Sequence, residues 1–381
     1  SINYESPNEK IDFNESPFYV NSALQEWTSE KYPLRAGVSS FGIGGTNVHA
    51  ILEEAPKETP AIKQRTVKEN EYTIIPLSAK NDSSLEKMEY ALASSLEKTD
   101  YPIADVAHTL QIGRKVFKER MALVVKNTDD AATLLKDQQS HKKFYASTSQ
   151  EKRDVVFMFT GQGSQYVEMT KELYENEPVY KEHFDACANL LTSILQKDIR
   201  EIVFTSDDLE TAQKLLTETW LTQPVLFSVE YAMAKVFLNK GIEPACLIGH
   251  SIGEYVAAVI SGVMKLEDAL QIVAERGRLI WDVPEGSMLS LSLDEEGAKK
   301  YVTDTINLAA VNAAELSVLS GPTAEIETLA KQLEGEGVTH RILRTSHAFH
   351  SHMMDGILDG FENRVNAYSL ENPTIPFVSN V

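Results

Sequence analysis

Three things are scarce in this sequence of 381 residues, and each scarcity excludes a class of protein. Only two cysteines are present, Cys187 and Cys246, far apart in apolar surroundings, which excludes a disulfide framework and indicates a reducing compartment. No apolar run reaches the roughly 20 residues of a transmembrane helix, and no signal peptide opens the chain. Lysine and arginine number 36 against 56 aspartates and glutamates, and the net charge of −20 argues against general nucleic-acid binding. We therefore expect a cytoplasmic protein with neither membrane nor nucleic-acid partners.

The composition otherwise fits a folded chain of two or three domains. Hydrophobic residues make up 43% of the sequence, which allows a sizeable core. The first residue is Ser1 and not methionine, so we expect a piece of a longer polypeptide. No internal repeat or low-complexity tract interrupts the chain.

Local patterns divide the chain into three parts. Residues 1–56 end in two apolar runs separated by a glycine-rich turn, and the polar stretch 57–70 then reads as a linker. Between 72 and 148, strand-like and helix-like patterns alternate, which predicts a small α+β unit. A larger α/β unit begins near 154. Inside it, from about 286 to 345, the pattern β-α-β-β-α-β predicts an inserted ferredoxin-like subdomain.

The stretch "GHSIGEY" at 249–255 places Ser251 between a short apolar strand and a small-residue helix. The flanking Gly249 and Gly253 leave room for a tight turn, which is the layout of a nucleophile elbow. An ordinary turn with serine as the helix N-cap is the alternative, because G-x-S-x-G alone is a weak signal.

Three of the nine histidines lie together in "TSHAFHSHMM". His347, His350 and His352 could supply a general base, a metal site, a pH switch or polar surface. The spacing is not a usual zinc set and no glutamate accompanies it, which disfavours a metal. A base for Ser251 is attractive because a serine hydroxyl is a poor nucleophile until its proton has an acceptor.

Seven motifs follow one another in a fixed order over about 154–381. They are "FTGQGSQY", "LTQPVLFSVEYA", "GHSIGEY", "AERGRL", "VNAAELSVLSG", "SHAFHSHMM" and "FVSNV". Together they resemble the acyltransferase domain of modular polyketide synthases, related to bacterial malonyl-CoA:acyl carrier protein transacylase. Upstream, "SPFYVNSALQEW" and "RAGVSSFGIGGTNVHAILEEAP" resemble the C-terminal end of a ketosynthase.

The resemblance implies a domain plan. Residues 1–56 would end a ketosynthase, 57–150 would be the α+β ketosynthase–acyltransferase linker, and 151–381 would be an acyltransferase domain that is incomplete at its C-terminus. The implied fold is an α/β-hydrolase-like large subdomain carrying the ferredoxin-like insertion. The ketosynthase part lacks a cysteine nucleophile, and His49 is not a catalytic histidine by the family's pattern, so no condensation is expected.

The resemblance also assigns chemistry. Ser251 would carry the acyl group as an ester, and His350 would be the base, oriented by a main-chain carbonyl near "SNV" rather than by an aspartate. Backbone N–H groups of Gln162 and Ile252 would hold the oxyanion. Malonyl-CoA would be the substrate and an acyl carrier protein with its phosphopantetheine the partner, beside the upstream ketosynthase. No permanently bound cofactor or metal is implied.

Substrate recognition follows from further positions. An arginine in "AERGRL" would ordinarily be solvated, but the resemblance makes Arg276 the ligand of the acyl carboxylate. Gln223 and Asn312 match polar pocket positions, and His250 either lines the site or merely packs. "HAFH" accompanies malonyl in this family, and Phe349 would exclude an α-methyl group, in agreement with the apolar Ile252. A serine hydrolase or thioesterase, or a non-catalytic docking scaffold, are the alternatives.

Overall fold

The computed structural model describes residues 4–29, 31–55, 72–99, 101–137, 140–148, 153–205, 208–343 and 345–380. The fold is mixed α/β, with four small sheets over this part of the chain. The chain divides into two units, one comprising 1–76, 88–114 and 122–144, and the other comprising 77–87, 115–121 and 145–381.

The N-terminal segment forms a β-hairpin. Strands β1 (Arg35–Phe41) and β2 (Asn47–Glu53) pair antiparallel, from Arg35 opposite Glu53 to Phe41 opposite Asn47. Gly45 in the connecting turn has φ 88°, a left-handed value that favours glycine. The two apolar runs on either side of the glycine-rich turn are strands. The predicted linker at 57–70 lies outside the described residues.

A second sheet follows with the strand order β3-β4-β5. Burial alternates along β3 and β4, so one face of each strand contacts a core and the other stays more exposed. The strands and helices predicted between 72 and 148 are present. They are β3 (Thr73–Ala79), α1 (Asp82–Leu96), α2 (Ile103–Ile112), β4 (Glu119–Val125), α3 (Thr128–Lys136) and β5 (Lys143–Ser147).

A parallel sheet, ordered β12-β7-β6, carries the site. Strands β6 (Val156–Phe159), β7 (Cys246–Gly249) and β12 (Phe377–Val378) run in the same direction. Their carboxyl ends therefore meet at one edge, the position at which open α/β sheets bind ligands.

Helices cover this sheet and form the largest core with it. Helix α8 is apolar on nearly every side, and most of its residues are buried. The helices of this core are α4 (Lys171–Asn176), α5 (Pro178–Leu195), α6 (Ile199–Val203), α7 (Leu209–Leu215), α8 (Thr219–Asn239), α9 (Gly253–Ile260) and α10 (Leu266–Trp281). Helix α13 (Asp355–Val365) contacts α10 and has no buried residue.

The predicted insertion has its own sheet and core. The element order is β-α-β-β-α-β as predicted, and the strands are ordered β11-β8-β10-β9 with every pairing antiparallel. The elements are β8 (Ser287–Leu291), α11 (Glu295–Lys299), β9 (Asn307–Ala313), β10 (Leu316–Gly321), α12 (Thr323–Glu336) and β11 (His340–Ile342). A 3₁₀ turn (His352–Met354) then leads into α13.

Candidate active site

Ser251 lies on a sharp turn between β7 and α9. Its φ is +51°, and α9 begins at Gly253 with Ile252 at the N-cap position, so Ser251 is not the helix cap. The turn needs both glycines, because a Cβ on Gly249 would lie 2.2 Å from the backbone nitrogen of Glu254 and one on Gly253 would lie 2.6 Å from the Phe159 carbonyl. The geometry is therefore the predicted elbow, with the hydroxyl raised at the carboxyl end of the sheet.

His350 faces this serine. Its Nε2 lies 3.0 Å from the Ser251 Oγ, although the two residues are 99 positions apart in sequence. His350 has φ +56°, so both members of the pair belong to the five non-glycine residues with positive φ in the described chain. Such conformations cost energy and persist only where the surrounding structure imposes them. The pair can act as a nucleophile and its base.

The neighbouring histidines serve other contacts. His347 is buried, and its Nδ1 lies 2.8 Å from the Ser346 hydroxyl. The backbone N–H of His352 donates to Asn307 Oδ1, and the His352 Nδ1 lies 2.8 Å from the same oxygen. Of the four possibilities that the sequence left open, the geometry thus favours a base at position 350. In the described ranges, no group of three metal-ligating side chains comes together.

Two residues on different loops, Gln162 and Ile252, lie beside Ser251. Gln162 follows β6, Ile252 follows the nucleophile, and both line the same cavity of about 80 Å³ as Ser251. Within the described residues neither N–H donates to a protein acceptor, as an oxyanion site requires. A Cβ on Gly161 would lie 2.5 Å from the His250 Nδ1, so the loop approaches the elbow closely.

Arg276 projects from α10 into the site. Its Nη1 donates to Gln223 Oε1 at 2.7 Å and its Nη2 to Ser251 Oγ at 3.4 Å, while the guanidinium lies 5.8 Å from the Tyr255 ring centre. No carboxylate pairs with it among the described side chains. Burial lowers the pKa of Arg276 below its ordinary value. An unpaired guanidinium beside a nucleophile can hold the carboxylate of a ligand.

Glu275, the carboxylate next to Arg276 in the sequence, pairs with a different arginine. Glu275 Oε1 pairs with Arg364 of α13 at 2.9 Å, on another face of α10. Glu254 is the acid whose charge acts on Arg276, and it accepts hydrogen bonds from Asn380. The Asn380 side chain also donates to the Gly249 carbonyl, which joins the end of β12 to the elbow.

The remaining predicted positions also line the site. His250 Nε2 lies 3.2 Å from Asn312 Oδ1, which joins the elbow to β9 of the insertion. Gln223 is 1% exposed and holds Arg276. The side chain of Ile252 is 1% exposed and belongs to the large core. All nine residues predicted from the sequence therefore lie around two adjoining cavities.

Phe349 lines both of those cavities. It lines the 80 Å³ cavity at Ser251 and a second cavity of about 430 Å³, which Arg276 and apolar residues of α10 and α13 line. Phe349 is 8% exposed and packs with Ile280, Met288 and Met354.

Loss of solvation lowers the pKa of His350, and the charges of Arg276 and His250 lower it further. His350 is therefore neutral at pH 7 and able to accept a proton.

Sequence reasoning missed one pair of residues here. Glu230 of α8 accepts hydrogen bonds from the backbone N–H and the hydroxyl of Thr160, at the start of the loop that holds Gln162. The signal available was a single acidic residue inside the apolar motif "LFSVEYA".

Comparison with known proteins assigns the chain to a family. The family described as "Acyl transferase domain" matches residues 156–381, and "Ketoacyl-synthetase C-terminal extension" matches residues 7–124. The first match covers more than half of the chain. The chain therefore belongs to the acyl transferase domain family, in the form found in polyketide synthases.

Similar proteins include two synthases. A phenolphthiocerol/phthiocerol polyketide synthase of Mycobacterium tuberculosis is 36% identical over the whole chain, which covers 26% of that protein. "Polyketide synthase GfsA" of Streptomyces halstedii is 30% identical over the whole chain, which covers 5% of it. The chain thus spans about a quarter or less of these relatives.

Two solved structures are similar over most of the chain. The acyl transferase domain of ZmaA has a TM-score of 0.73 at 36% identity, and the match covers 81% of this chain and 72% of that one. The acyl transferase domain of SpnD, in complex with 2-(pent-4-yn-1-yl)malonyl, has a TM-score of 0.72 at 31% identity, and the match covers 81% of this chain and 73% of that one.

None of the described helices has the length and apolar character to cross a membrane.

Proposed function

We propose that this chain transfers a malonyl group from malonyl-CoA to the phosphopantetheine thiol of an acyl carrier protein, through an ester on Ser251. The observation that carries the proposal is the position of the Ser251 hydroxyl. It lies 3.0 Å from the His350 Nε2 and 3.4 Å from the Arg276 Nη2, so one oxygen adjoins both a neutral base and a free cation.

The first half of the reaction loads the enzyme. Ser251 Oγ attacks the thioester carbonyl and forms a C–O bond while its proton passes to His350 Nε2. The backbone N–H groups of Gln162 and Ile252 hold the resulting oxyanion. The C–S bond then breaks, and His350 returns the proton to the coenzyme A thiolate. The malonyl group remains as a seryl ester.

The second half repeats these steps with a different thiol. The phosphopantetheine thiol gives its proton to His350 and attacks the seryl ester, and the same N–H groups hold the second oxyanion. The C–O bond breaks and Ser251 recovers the proton. Orientation of His350 by a main-chain carbonyl near "SNV" stays part of this proposal. In the described residues, no carboxylate is hydrogen-bonded to the His350 ring.

Selection of a dicarboxylic acyl group rests on Arg276. A planar guanidinium can donate two parallel hydrogen bonds to a carboxylate, and Gln223 fixes one edge of it. The related SpnD domain is described in complex with a substituted malonyl group. We infer malonyl rather than methylmalonyl because the Phe349 ring lines the small cavity at Ser251 and takes up space beside the acyl group. Packing alone discriminates one methyl group by about 1–3 kcal/mol, so the selection is a preference.

The proposal extends to the fold and the partners. We assign the parallel-sheet part to an α/β-hydrolase-like subdomain and the inserted antiparallel sheet to the ferredoxin-like class. The match of residues 7–124 to a ketosynthase extension supports an upstream ketosynthase as a covalent neighbour and an acyl carrier protein as the acceptor. A cytoplasmic location, domain boundaries near 56 and 150, and the absence of a permanently bound cofactor remain parts of the proposal.

Mass spectrometry of the intact chain after incubation with malonyl-CoA tests this function. We expect a malonyl adduct that maps to Ser251, is lost in Ser251→Ala and forms orders of magnitude more slowly in His350→Ala. Addition of a carrier protein should move the adduct to its phosphopantetheine. Rapid loss of the adduct to water would indicate a hydrolase, no adduct would indicate a docking scaffold, and preferential methylmalonyl loading would refute the assignment of substrate.

A further inference from the structure

We propose that Glu230 is a positioning residue that fixes the oxyanion loop, residues 160–163, through Thr160. This inference rests on the proposed function in that it assigns the Gln162 N–H to the oxyanion. Glu230 lies on α8, 70 residues from Thr160, and its Oε1 accepts the Thr160 backbone N–H at 2.7 Å and the Thr160 hydroxyl at 2.5 Å. One carboxylate oxygen therefore accepts hydrogen bonds from both donors of the first loop residue.

The contact extends along the loop. The Thr160 Oγ1 is also 2.9 Å from the Ser164 Oγ, and Ser164 lies 3.4 Å from the Gly161 carbonyl. A second anchor acts on Gln162 itself, whose side-chain Nε2 donates to the buried Thr219 hydroxyl at 3.2 Å. Thr160 and Gln162 are thus each tied to a side chain of α8 outside the loop.

The loop needs such restraint because of its glycines. Gly161 and Gly163 flank Gln162, and Gly163 has φ +124°. Because glycine has more accessible backbone conformations than other residues, a loop with two glycines loses more conformational freedom when it is fixed. An oxyanion donor works only when it is held in place before the charge develops. Fixing Thr160, two residues before Gln162, reduces the freedom of the loop at its start.

Burying the Glu230 carboxyl costs desolvation free energy that a purely structural residue at this position would not require. Its Oε2 is buried without a hydrogen-bond partner in the described structure, and no cation pairs with it there. Desolvation raises the pKa of Glu230 to about 7. An apolar side chain at this position of α8 would avoid that cost. The carboxyl supplies what an apolar residue cannot, an acceptor for two donors of one loop residue.

The test separates this role from a role in folding. Glu230→Met removes the acceptor at similar size, whereas Glu230→Gln keeps an amide oxygen that can accept both bonds. A fluorophosphonate serves as the probe. Ser251 attacks its phosphorus, an O–P bond forms, fluoride leaves, and His350 takes the serine proton. The developing P–O⁻ charge needs the oxyanion donors but not Arg276, so the readout does not depend on malonyl being the substrate.

We expect the rate of phosphonylation and the kcat of malonyl loading to fall about 10- to 100-fold in Glu230→Met, with KM nearly unchanged. Glu230→Gln should stay within about threefold of the wild type. The control is Glu177→Met, which removes a carboxylate paired with Lys240 at the C-terminal end of α8 and should leave both rates unchanged. Wild-type reaction with the probe but not with malonyl-CoA would refute only the proposed substrate.

Two results would overturn the inference. The first is a folded Glu230→Met protein that reacts at the wild-type rate. The second is Glu230→Gln falling as far as Glu230→Met, because the acceptor would then not be what matters. If Glu230→Met does not fold, Thr160→Val decides, since it removes the hydroxyl contacts with Glu230 and Ser164 and keeps the backbone N–H bond to Glu230. It should slow the probe several-fold while Thr160→Ser does not, and a wild-type rate in Thr160→Val would overturn the inference.

Discussion

Arg276→Ala is the most direct test of how the site recognises its acyl group. The guanidinium adjoins the nucleophile, donates to Gln223 and has no carboxylate partner in the described chain. If it holds the substrate's free carboxylate, its removal should damage malonyl transfer far more than acetyl transfer, since acetyl has no carboxylate. The ratio of the two losses matters, because Arg276 also touches the Ser251 hydroxyl and its removal affects both reactions.

The size of the effect can be estimated from the environment of Arg276. Truncating one partner of a buried, hydrogen-bonded charge pair costs about 2–5 kcal/mol, and each 1.4 kcal/mol is a factor of about ten. The side chain of Arg276 keeps some solvent access, which places the expected loss near the lower end. We therefore expect kcat/KM for malonyl-CoA to fall about 30- to 300-fold and that for acetyl-CoA only a few-fold. Arg276→Lys should lie between, since it keeps the charge but not the fork.

The assay compares kcat/KM for the two CoA esters in each variant. Arg278→Ala is the matched control, because Arg278 lies two residues further along α10, is exposed and does not line either cavity at Ser251. It should leave both values unchanged. Equal losses for malonyl and acetyl in a folded Arg276→Ala protein would show that Arg276 supports the site and does not read the substrate.

Three further predictions concern other residues. Phe349→Ser should raise methylmalonyl transfer relative to malonyl in a competition assay, by a few-fold because a methyl group contributes about 0.8 kcal/mol of burial; an unchanged ratio in a folded protein would place selectivity elsewhere. In a plot of kcat/KM against pH, the acid limb should lie below pH 6.5, because the lowered pKa keeps His350 neutral above that value. Arg276→Ala should move this limb to higher pH, since it removes a charge that lowers the His350 pKa; a wild-type limb above pH 6.5 would contradict the assignment. Glu230→Gln should raise the urea midpoint of unfolding more at pH 8 than at pH 4. The reason is that the pKa of Glu230 rises from 4.5 to about 7 on folding, so its contribution to stability is lost as pH rises through 7. Equal gains at the two pH values would contradict the raised pKa.

The sequence was sufficient for features that depend on local order. The run from a short apolar strand through Gly249 and Ser251 to a small-residue helix predicted the elbow, because each residue type has a local steric reason there. The alternation of strand and helix patterns from 286 to 345 likewise predicted the element order of the insertion. Gln223 and Asn312 came from the family resemblance and not from their own surroundings, and the structure adds the contacts that they make.

Features that depend on distant partners could not be predicted in this way. Arg276 follows Glu275 directly, yet Glu275 pairs with Arg364, 89 residues away, and the guanidinium has no carboxylate partner among the described residues. The left-handed backbone of His350 has no local signature, since nothing in "HAFH" requires it. Glu230 and Thr160 meet only because α8 packs beside the end of β6. Each of these facts is a property of the tertiary packing.

No carboxylate is hydrogen-bonded to His350 in the part of the chain that the structure describes, which is consistent with the charge of the proposed substrate. A carboxylate beside the imidazole would stabilise the imidazolium, but in this small site it would also compete with the substrate for Arg276. Glu254 is close enough for its charge to act on both His350 and Arg276. Its carboxylate instead accepts the backbone and side-chain N–H groups of Asn380 at the end of β12. Because this engagement keeps Glu254 from pairing with the guanidinium, Arg276 retains an unmatched positive charge that an incoming dicarboxylic acyl group can neutralise.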